Sequence, residues 1–291
     1  MPTWRIVADD LTGAADAALA FVRPGATVRV SLPGDAPAPP PPAVHAVATL
    51  WRDEPAGRDR FLAALPPSPQ SLLIKIDSTL RGPVAEMLAI CRGRWPAAAL
   101  RFCPALPAQG RTVRAGVLHV HGVPQPTPAG LPPMHDAETD ADLGRLVAAA
   151  PPNTLWVGSS GLAAALAGGP PPAPPPGRAD GPRVLVVAGS RHAATQMQLG
   201  QLSDPVVYDA EAGAAAAAGF PAIAVAGGQS AAALLAALGV TAFELLGAAG
   251  PGMPLGRAGR WLLATKAGGF GDLGALARAC DALRAALWTE A

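Results

Sequence analysis

The stretch LLIKIDSTLRG, Leu72–Gly82, sets an unbroken apolar run, Leu72-Leu73-Ile74, directly against a cluster of polar groups. A short continuous apolar run that ends in charges is the pattern of a strand buried on both faces. Lys75 and Asp77 stand at the end of that strand, Ser78, Thr79 and Arg81 follow, and Gly82-Pro83 resets the backbone. Val84, Met87, Leu88 and Cys91 then recur at helical spacing, which predicts a helix. Strand, polar loop and helix make the unit of an open α/β sheet, whose ligands collect beyond the carboxyl ends of the strands. A carboxylate, a guanidinium and two hydroxyls in such a loop suit a small polyhydroxy acid. The cation takes its carboxylate, and Asp77 accepts from its hydroxyls. An ordinary loop with solvated charges is the alternative reading of the same spacing.

The same unit stands at the N-terminus. Arg5-Ile6-Val7-Ala8 reads as a short strand delivering Asp9-Asp10-Leu11-Thr12-Gly13, and Thr12 is the expected N-cap of a helix through Ala18, Leu19 and Val22. Two adjacent carboxylates at a strand end repel unless cations or donors neutralise them. So placed, they bind metal, hydroxyls or a proton in transit; a helix-start pair favoured by the macrodipole is the structural alternative. Thr27–Leu32 and Val44–Leu50 are further strand candidates, joined by a stiff surface loop, Pro33–Pro42. Ala98–Cys103 is another, and Arg111 arrives in the loop after it, as Asp10 and Asp77 do in theirs. Three charged loops converge if these strands share one parallel sheet. Val117–His121 reads as a strand, and His121 is given no role. Thr139 and Asp142 open a helix to Ala150. Thr154–Val157 precedes Gly158-Ser159-Ser160-Gly161, a turn able to present N–H groups to an anion.

Pro170–Pro182 has no apolar period and reads as a linker between an N-terminal domain, 1–169, and a C-terminal domain, 183–291. Beyond it a strand, a small-residue loop and a helix recur three times. Val184–Ala188 leads to Gly189-Ser190-Arg191-His192, Ala222–Ala226 to Gly227-Gly228-Gln229-Ser230, and Trp261–Thr265 to Lys266-Ala267-Gly268-Gly269. Such loops let backbone N–H groups approach a polyphosphate at a helix N-terminus. GxxxxGK[ST] is absent, so none is a Walker loop. Three at corresponding positions, one carrying Lys266, nevertheless predict a nucleotide site. Asp272 is the expected cap of the last helix, with Leu273, Leu276, Cys280, Leu283 and Leu287 as its apolar face.

The composition narrows the classes. A chain of 291 residues, 50% apolar and 15% charged, has room for two domains. A net charge of +1 without a dense Lys/Arg block argues against a nucleic-acid surface. Three scattered cysteines with no CxxC pair read as reduced thiols. No basic-then-apolar leader precedes Arg5 and no run approaches the ~18 apolar residues of a span, so a cytoplasmic protein without membrane contact is expected.

Read together, these stretches resemble the four-carbon acid sugar kinases, which phosphorylate threonate, erythronate or 3-oxo-tetronate with ATP. The matches are VADDLTGAADAA from Val7, KIDSTLRG from Lys75, PALPAQGRTVRAGVLHVHGVP from Pro104 and GSSGLAAALA from Gly158. In the second half they are VVAGSRHAATQMQL from Val186, AGGQSAAALLAALG from Ala226, PGMPLGR from Pro251 and TKAGGFGD from Thr265. The resemblance implies an α/β protein of two domains, each a mainly parallel sheet flanked by helices, with the reaction in the cleft between them. It implies that Asp9, Asp10, Lys75, Asp77, Ser78, Arg81 and Arg111 line a sugar-acid site. Asp10 or Asp77 would accept the hydroxyl proton, and Arg81 with Lys75 or Arg111 would grip the carboxylate. Ser190, Gly227, Gly228, Gln229, Ser230, Lys266, Gly268 and Gly269 would hold ATP, with Mg²⁺ on the phosphates and its protein ligands unknown.

Departures from the family pattern accompany the likeness. Gln229-Ser230 stands where an acidic residue and Thr are usual, and Ala267 where Ser is common. Stretches usual in the family are missing between Pro124 and Asp136 and between Leu202 and Ala222. A kinase of another small hydroxy acid, or a non-catalytic sensor of sugar acid or nucleotide, are the alternative functions. The oligomeric state stays open, a homo-oligomer included.

Overall fold

The apolar runs Leu72–Lys75 and Thr154–Gly158 of the first half are strands buried on both faces, as their hydrophobicity requires. They are seen in a computed structural model, which describes residues 4–36, 41–170, 173–174 and 176–289. The chain divides into two units, Met1–Phe21 with Pro42–Pro170 and Val22–Pro41 with Pro171–Ala291.

Trp4–Ala8 (β1) leads into the helix Leu11–Leu19 (α1); Val28–Ser31 (β2) belongs to the second unit, and Val44–Ala48 (β3) returns to the first. The helix Gly57–Ala64 (α2), the strand Leu72–Lys75 (β4) and the helix Val84–Arg94 (α3) follow. After Ala99–Cys103 (β5) comes a small antiparallel sheet of Arg111–Arg114 (β6), Val117–Val120 (β7) and Val123–Pro124 (β8). The helix Asp140–Ala148 (α4), the strand Thr154–Gly158 (β9) and the helix Ser160–Leu166 (α5) complete this unit.

The main sheet of the first unit has the order β3-β1-β4-β9-β5, every pair parallel. Ala8 lies opposite Ala48 on one side and Lys75 on the other, Lys75 opposite Gly158, and Gly158 opposite Cys103. The strands therefore end in one row, and the loops after them leave from one edge. Val7, Ile74, Phe102 and Val157 share a core with Phe61 of α2 and with Met87, Leu88 and Cys91 of α3. The helix α1, buried along nearly its whole length, packs on β3 and α5. Fully burying side chains of this size contributes about 1.5–3 kcal/mol each, which fixes the row of strand ends.

Capping sets the helix starts. Thr139 and Asp142 form the expected capping box of α4. At α1 the cap is Asp10 and not Thr12: Asp10 has the extended backbone, and its carboxylate accepts the Gly13 N–H at 2.6 Å. Asp is the stronger cap, so the helix begins earlier than expected.

The second unit continues with Leu185–Val187 (β10), the helix Ala193–Leu199 (α6), Val206–Val207 (β11) and the helix Ala210–Ala216 (α7). Ala222–Ala226 (β12) and the helix Gly228–Ala237 (α8) follow, then Ala242–Gly250 (β13), Met253–Ala258 (β14), Trp261–Lys266 (β15) and the helix Ala275–Thr289 (α9). The strands β11, β10, β12 and β15 pair in parallel, and β14, β13 and β2 extend the sheet antiparallel. The three strand–loop–helix units are as expected. The hairpin β13–β14 is a feature the sequence reading missed, because Gly and Pro interrupt its alternation. β13 then takes β2 as its partner, Ala242 opposite Ser31 and Glu244 opposite Arg29. That pairing corrects the expected boundary: Val22–Pro41 groups with the C-terminal unit.

Leu276, Cys280 and Leu283 form the buried face of α9, with Leu287 packed beside them. Leu273, expected on that face, precedes the helix and is 51% exposed. Of the stretch Pro170–Pro182, residues 171, 172 and 175 lie outside the described residues, as do 37–40 of Pro33–Pro42. Arg178 is tied to α9, donating its N–H to the Asp281 carbonyl at 3.1 Å and laying its guanidinium over Trp288. No helix among the described residues is long and apolar enough to cross a membrane.

Candidate active site

Strand parity separates the two N-terminal aspartates. Asp9 continues β1 inward and is wholly buried, whereas Asp10 turns outward to cap α1. Arg52, in the loop after β3, sits against both. Its Nε and Nη2 hold the Asp9 carboxylate at 2.8–2.9 Å, and its Nη1 reaches Asp10 Oδ2 at 2.6 Å. The same Nη1 lies 3.6 Å from Asp77 Oδ1. One guanidinium thus neutralises three carboxylates whose repulsion would otherwise oppose their gathering. Burial, aided by the neighbouring Asp10 charge, pushes Asp9 up to about 6 against the pull of Arg52 and Lys75.

Asp77 is held by its own loop. Thr79 donates to Oδ2 from its N–H at 2.9 Å and from its hydroxyl, while Arg81 adds Nε to Oδ2 at 3.1 Å and Nη2 to Oδ1 at 2.7 Å. Burial works to raise Asp77, but the bonds from Arg81 and Thr79 and the charge of Arg52 outweigh it. The carboxyl ends well below the usual range. Arg81 makes this clasp from the solvent side, its side chain 70% exposed. Arg111, at the start of β6, donates to Ser78 Oγ at 2.5 Å. Lys75 is buried at the end of β4, donates to the Ile76 carbonyl at 2.9 Å, and acts on Asp9 and Asp16 through its charge. Asp16, on α1, accepts from the Ser160 hydroxyl, and burial raises its carboxyl.

Gly82 closes over the ion pair. Its φ is +88°, and a Cβ there would stand 2.5 Å from Asp9 Oδ2 and 3.3 Å from Arg52 Nε. Both the backbone angle and the space call for glycine.

Of the residues expected at the sugar-acid site, Asp10, Lys75, Asp77, Ser78, Arg81 and Arg111 come to one edge of the first unit. Asp9 is a correction: it is buried beneath the site with its oxygens on Arg52, so a ligand does not reach it. Arg52, Asp16 and Ser160 were missed. For Arg52 the signal was present, since it too is a charge in the loop after a strand.

In the second unit β10, β12 and β15 also end in register, Val187 opposite Val225 and Val225 opposite Thr265. Their loops interlock. The Gly227 N–H bonds the Lys266 carbonyl at 2.8 Å, and the Thr195 hydroxyl bonds the Gly268 carbonyl at 2.8 Å. A Cβ on Gly189 would stand 2.2 Å from Ser230 Oγ, and one on Gly268 would stand 2.3 Å from Ser190 Oγ. The helix α8 starts at Gly228 with Gly227 as its N-cap, so the cap residue itself brings no side chain to the first N–H groups. Ser190, Gly227, Gly228, Gln229, Ser230, Gly268 and Gly269 therefore lie on loops drawn to one edge of this unit. Lys266 is a correction: its side chain is buried and its ammonium is bonded to carbonyls of its own loop.

Both halves of the chain match known domain families. Residues 4–130 match the sugar-binding N-terminal domain family, and residues 209–276 match the nucleotide-binding C-terminal domain family. A D-threonate kinase of Bordetella bronchiseptica is 30% identical, with 98% of each chain covered. The chain belongs to the four-carbon acid sugar kinase family. A D-threonate kinase of Cupriavidus necator is 34% identical over 140 residues, 42% of this chain and 31% of its own. Solved structures of a Salmonella typhimurium LT2 protein and a Haemophilus influenzae protein share the fold, with TM-scores of 0.69 and 0.67 at 19% and 18% identity. Each likeness covers 94% of this chain and 98% of the other.

In this family member the acid cluster, Asp9 to Arg111, falls inside the sugar-binding match, and the loops at Gly227 and Gly268 fall inside the nucleotide-binding match. Ser190 lies before the latter. The alignment with the Bordetella kinase runs over 406 positions against the 291 residues of this chain, so that relative carries stretches absent here.

Proposed function

We propose that this chain transfers the γ-phosphoryl group of ATP to the terminal hydroxyl of a four-carbon sugar acid of the threonate type. The observation that carries this reading is the Asp10–Arg52–Asp77–Arg81 cluster at the strand ends of the unit that matches a sugar-binding domain. Two curated relatives are named as D-threonate kinases.

Arg81, with Arg111 beside it, takes the substrate carboxylate, since guanidinium forks match carboxylates in two-point contacts. Asp10 accepts the proton of the attacked hydroxyl. Asp77 is the weaker candidate because Arg81 and Thr79 already occupy its oxygens and hold it strongly ionised. Among the described residues Asp10 Oδ1 accepts the Gly13 N–H alone, and Oδ2 accepts from Arg52 and weakly from Thr12, which leaves room for a substrate hydroxyl. Lys75 and Arg52 keep the cluster neutral enough to admit an anionic substrate.

At Gly189, Gly227 and Gly268 the missing side chains let these loops close on Ser190 and Ser230, and small-residue loops gathered before helix starts are where backbone N–H groups commonly hold polyphosphates. ATP supplies the phosphoryl group when bound. Among the described residues no group of three or more His, Cys, Asp or Glu is placed to hold a metal ion. Mg²⁺ would come with the nucleotide phosphates and neutralise part of their charge. The chain's own contribution is positioning and charge neutralisation, which is most of what phosphoryl transfer asks of a protein. The stretches absent relative to the Bordetella kinase favour, as a second reading, a kinase of another small hydroxy acid.

ATP consumption with Mg²⁺, measured against D- and L-threonate, erythronate, 3-oxo-tetronate and longer sugar acids, tests the proposal. Turnover is expected with a four-carbon acid. Turnover only with a longer acid would select the second reading, and none at all from protein that binds ATP would leave a sensor.

A further inference from the structure

Lys266 presents an unusual arrangement for a lysine beside a glycine-rich loop. Its side chain is 2% exposed, and its Nζ donates to the carbonyls of Ala267 at 3.0 Å, Gly268 at 3.1 Å and Phe270 at 3.0 Å. An ammonium has three donors, so these carbonyls satisfy it. Thr195 Oγ1, 3.4 Å from Nζ, adds a hydrogen bond to the Gly268 carbonyl. Gln198, also buried, donates from Nε2 to the carbonyls of Phe270, Gly271 and Asp272 at 2.8–3.1 Å. Carbonyls along 267–272 are thereby drawn into the protein.

A trans peptide is planar, with its C=O and N–H pointing opposite ways. Drawing in the carbonyls of Ala267 and Gly268 therefore turns the N–H groups of Gly268 and Gly269 outward. Gly269 is exposed, and neither N–H is bonded to another described residue. Successive outward N–H groups form an anion-binding concavity. We infer that Lys266 is a positioning residue, which gathers the carbonyls of loop 267–270 so that the Gly268 and Gly269 amides face the nucleotide phosphates. This inference rests on the nucleotide reading of the second unit and assigns Lys266 no direct contact with phosphate.

Burial lowers Lys266 to about 8, because the ammonium is taken from water. Nearest the loop stand His192 at the start of α6 and the Asp272–Arg278 pair before and within α9, and α9 further carries Asp281, Arg284 and Cys280, whose thiol burial pushes up to about 12. The bond from Arg278 holds the Asp272 carboxyl below the usual carboxylate range, away from the window in which Lys266 loses its proton. ATP affinity is therefore expected to be full below pH 8 and to fall as pH rises through it.

The test is calorimetric titration of the full chain with ATP and Mg²⁺ at pH 7.5 and 9.5, for wild type, Lys266→Met, Lys266→Arg and Thr195→Val. Wild type is expected to bind roughly tenfold more weakly at the higher pH. Lys266→Met is expected to lose about tenfold or more at pH 7.5, with little further change at 9.5. Lys266→Arg, which keeps its charge, should show no pH step, and Thr195→Val should lose a few-fold. Should Lys266→Met not fold, the wild-type pH step and Thr195→Val decide. Wild type that binds ATP equally at both pH values, or Lys266→Met that binds like wild type, overturns the positioning role alone. Wild type that binds no ATP overturns the nucleotide reading and this inference with it.

Discussion

Replacing Asp10 by Asn is expected to lower kcat by about 10²–10⁴-fold, the range seen when a positioned general base is lost. The substitution is chosen to isolate the carboxylate. Asn caps a helix as well as Asp does, so α1 keeps its N-terminal bond to the Gly13 N–H. Arg52 keeps Asp9 and remains near Asp77. The fold and the KM for the acid therefore change little, and the loss appears in kcat. Asp77→Asn is expected to act differently, raising the KM because Arg81 loses its two-point anchor. Steady-state kinetics on both variants decide between the aspartates. A kcat loss confined to Asp77→Asn would transfer the proton-accepting role to Asp77.

Removing Arg52 has the largest expected effect on stability. Arg52→Met leaves Asp9 wholly buried without its partner, a loss that typically costs about 3–5 kcal/mol. For a unit of this size the melting temperature should fall by roughly 10 °C. The deficit depends on pH in a definite direction. Asp9 has a folded-state pKa of about 6, raised above its ordinary value, so folding favours its protonated form. The stability this confers is present in acid and is lost as pH rises through about 6. Without the guanidinium the carboxyl is raised further, so Arg52→Met should suffer most at pH 8 and least near pH 5. Thermal melts at the two pH values check this, and equal deficits at both would remove Asp9 from the explanation. Lys in place of Arg52 restores charge without the fork that spans Asp9 and Asp10, and recovers only part of the loss.

Much of this site was legible before the structure, for a reason that can be stated locally. Apolar runs such as Leu72–Ile74 and Ala222–Ala226 end abruptly in polar or glycine-rich loops, and parallel sheets place those loops on one edge whatever the order of the strands. What failed was long-range or depended on parity. Nothing in the dipeptide Asp9-Asp10 tells which carboxylate turns inward; the length of β1 decides it, and Arg52 completes the answer from the end of β3. The side chain of Lys266 could be read as reaching outward until the carbonyls of its own loop were seen around it. The pairing of β2 with β13 joins residues some two hundred positions apart, beyond any window of periodicity. Thr12 lost the cap to Asp10 through a difference in capping strength that a one-residue reading underweights.

In the proposed reaction phosphorus moves from ATP to a carbon-bound oxygen of the acid. Phosphorus NMR of wild-type protein with ATP, Mg²⁺ and D-threonate follows that atom directly. ADP is expected together with a new phosphomonoester on the terminal carbon, in equal amounts. ADP accompanied only by inorganic phosphate, or ATP left intact with the acid bound, would contradict it.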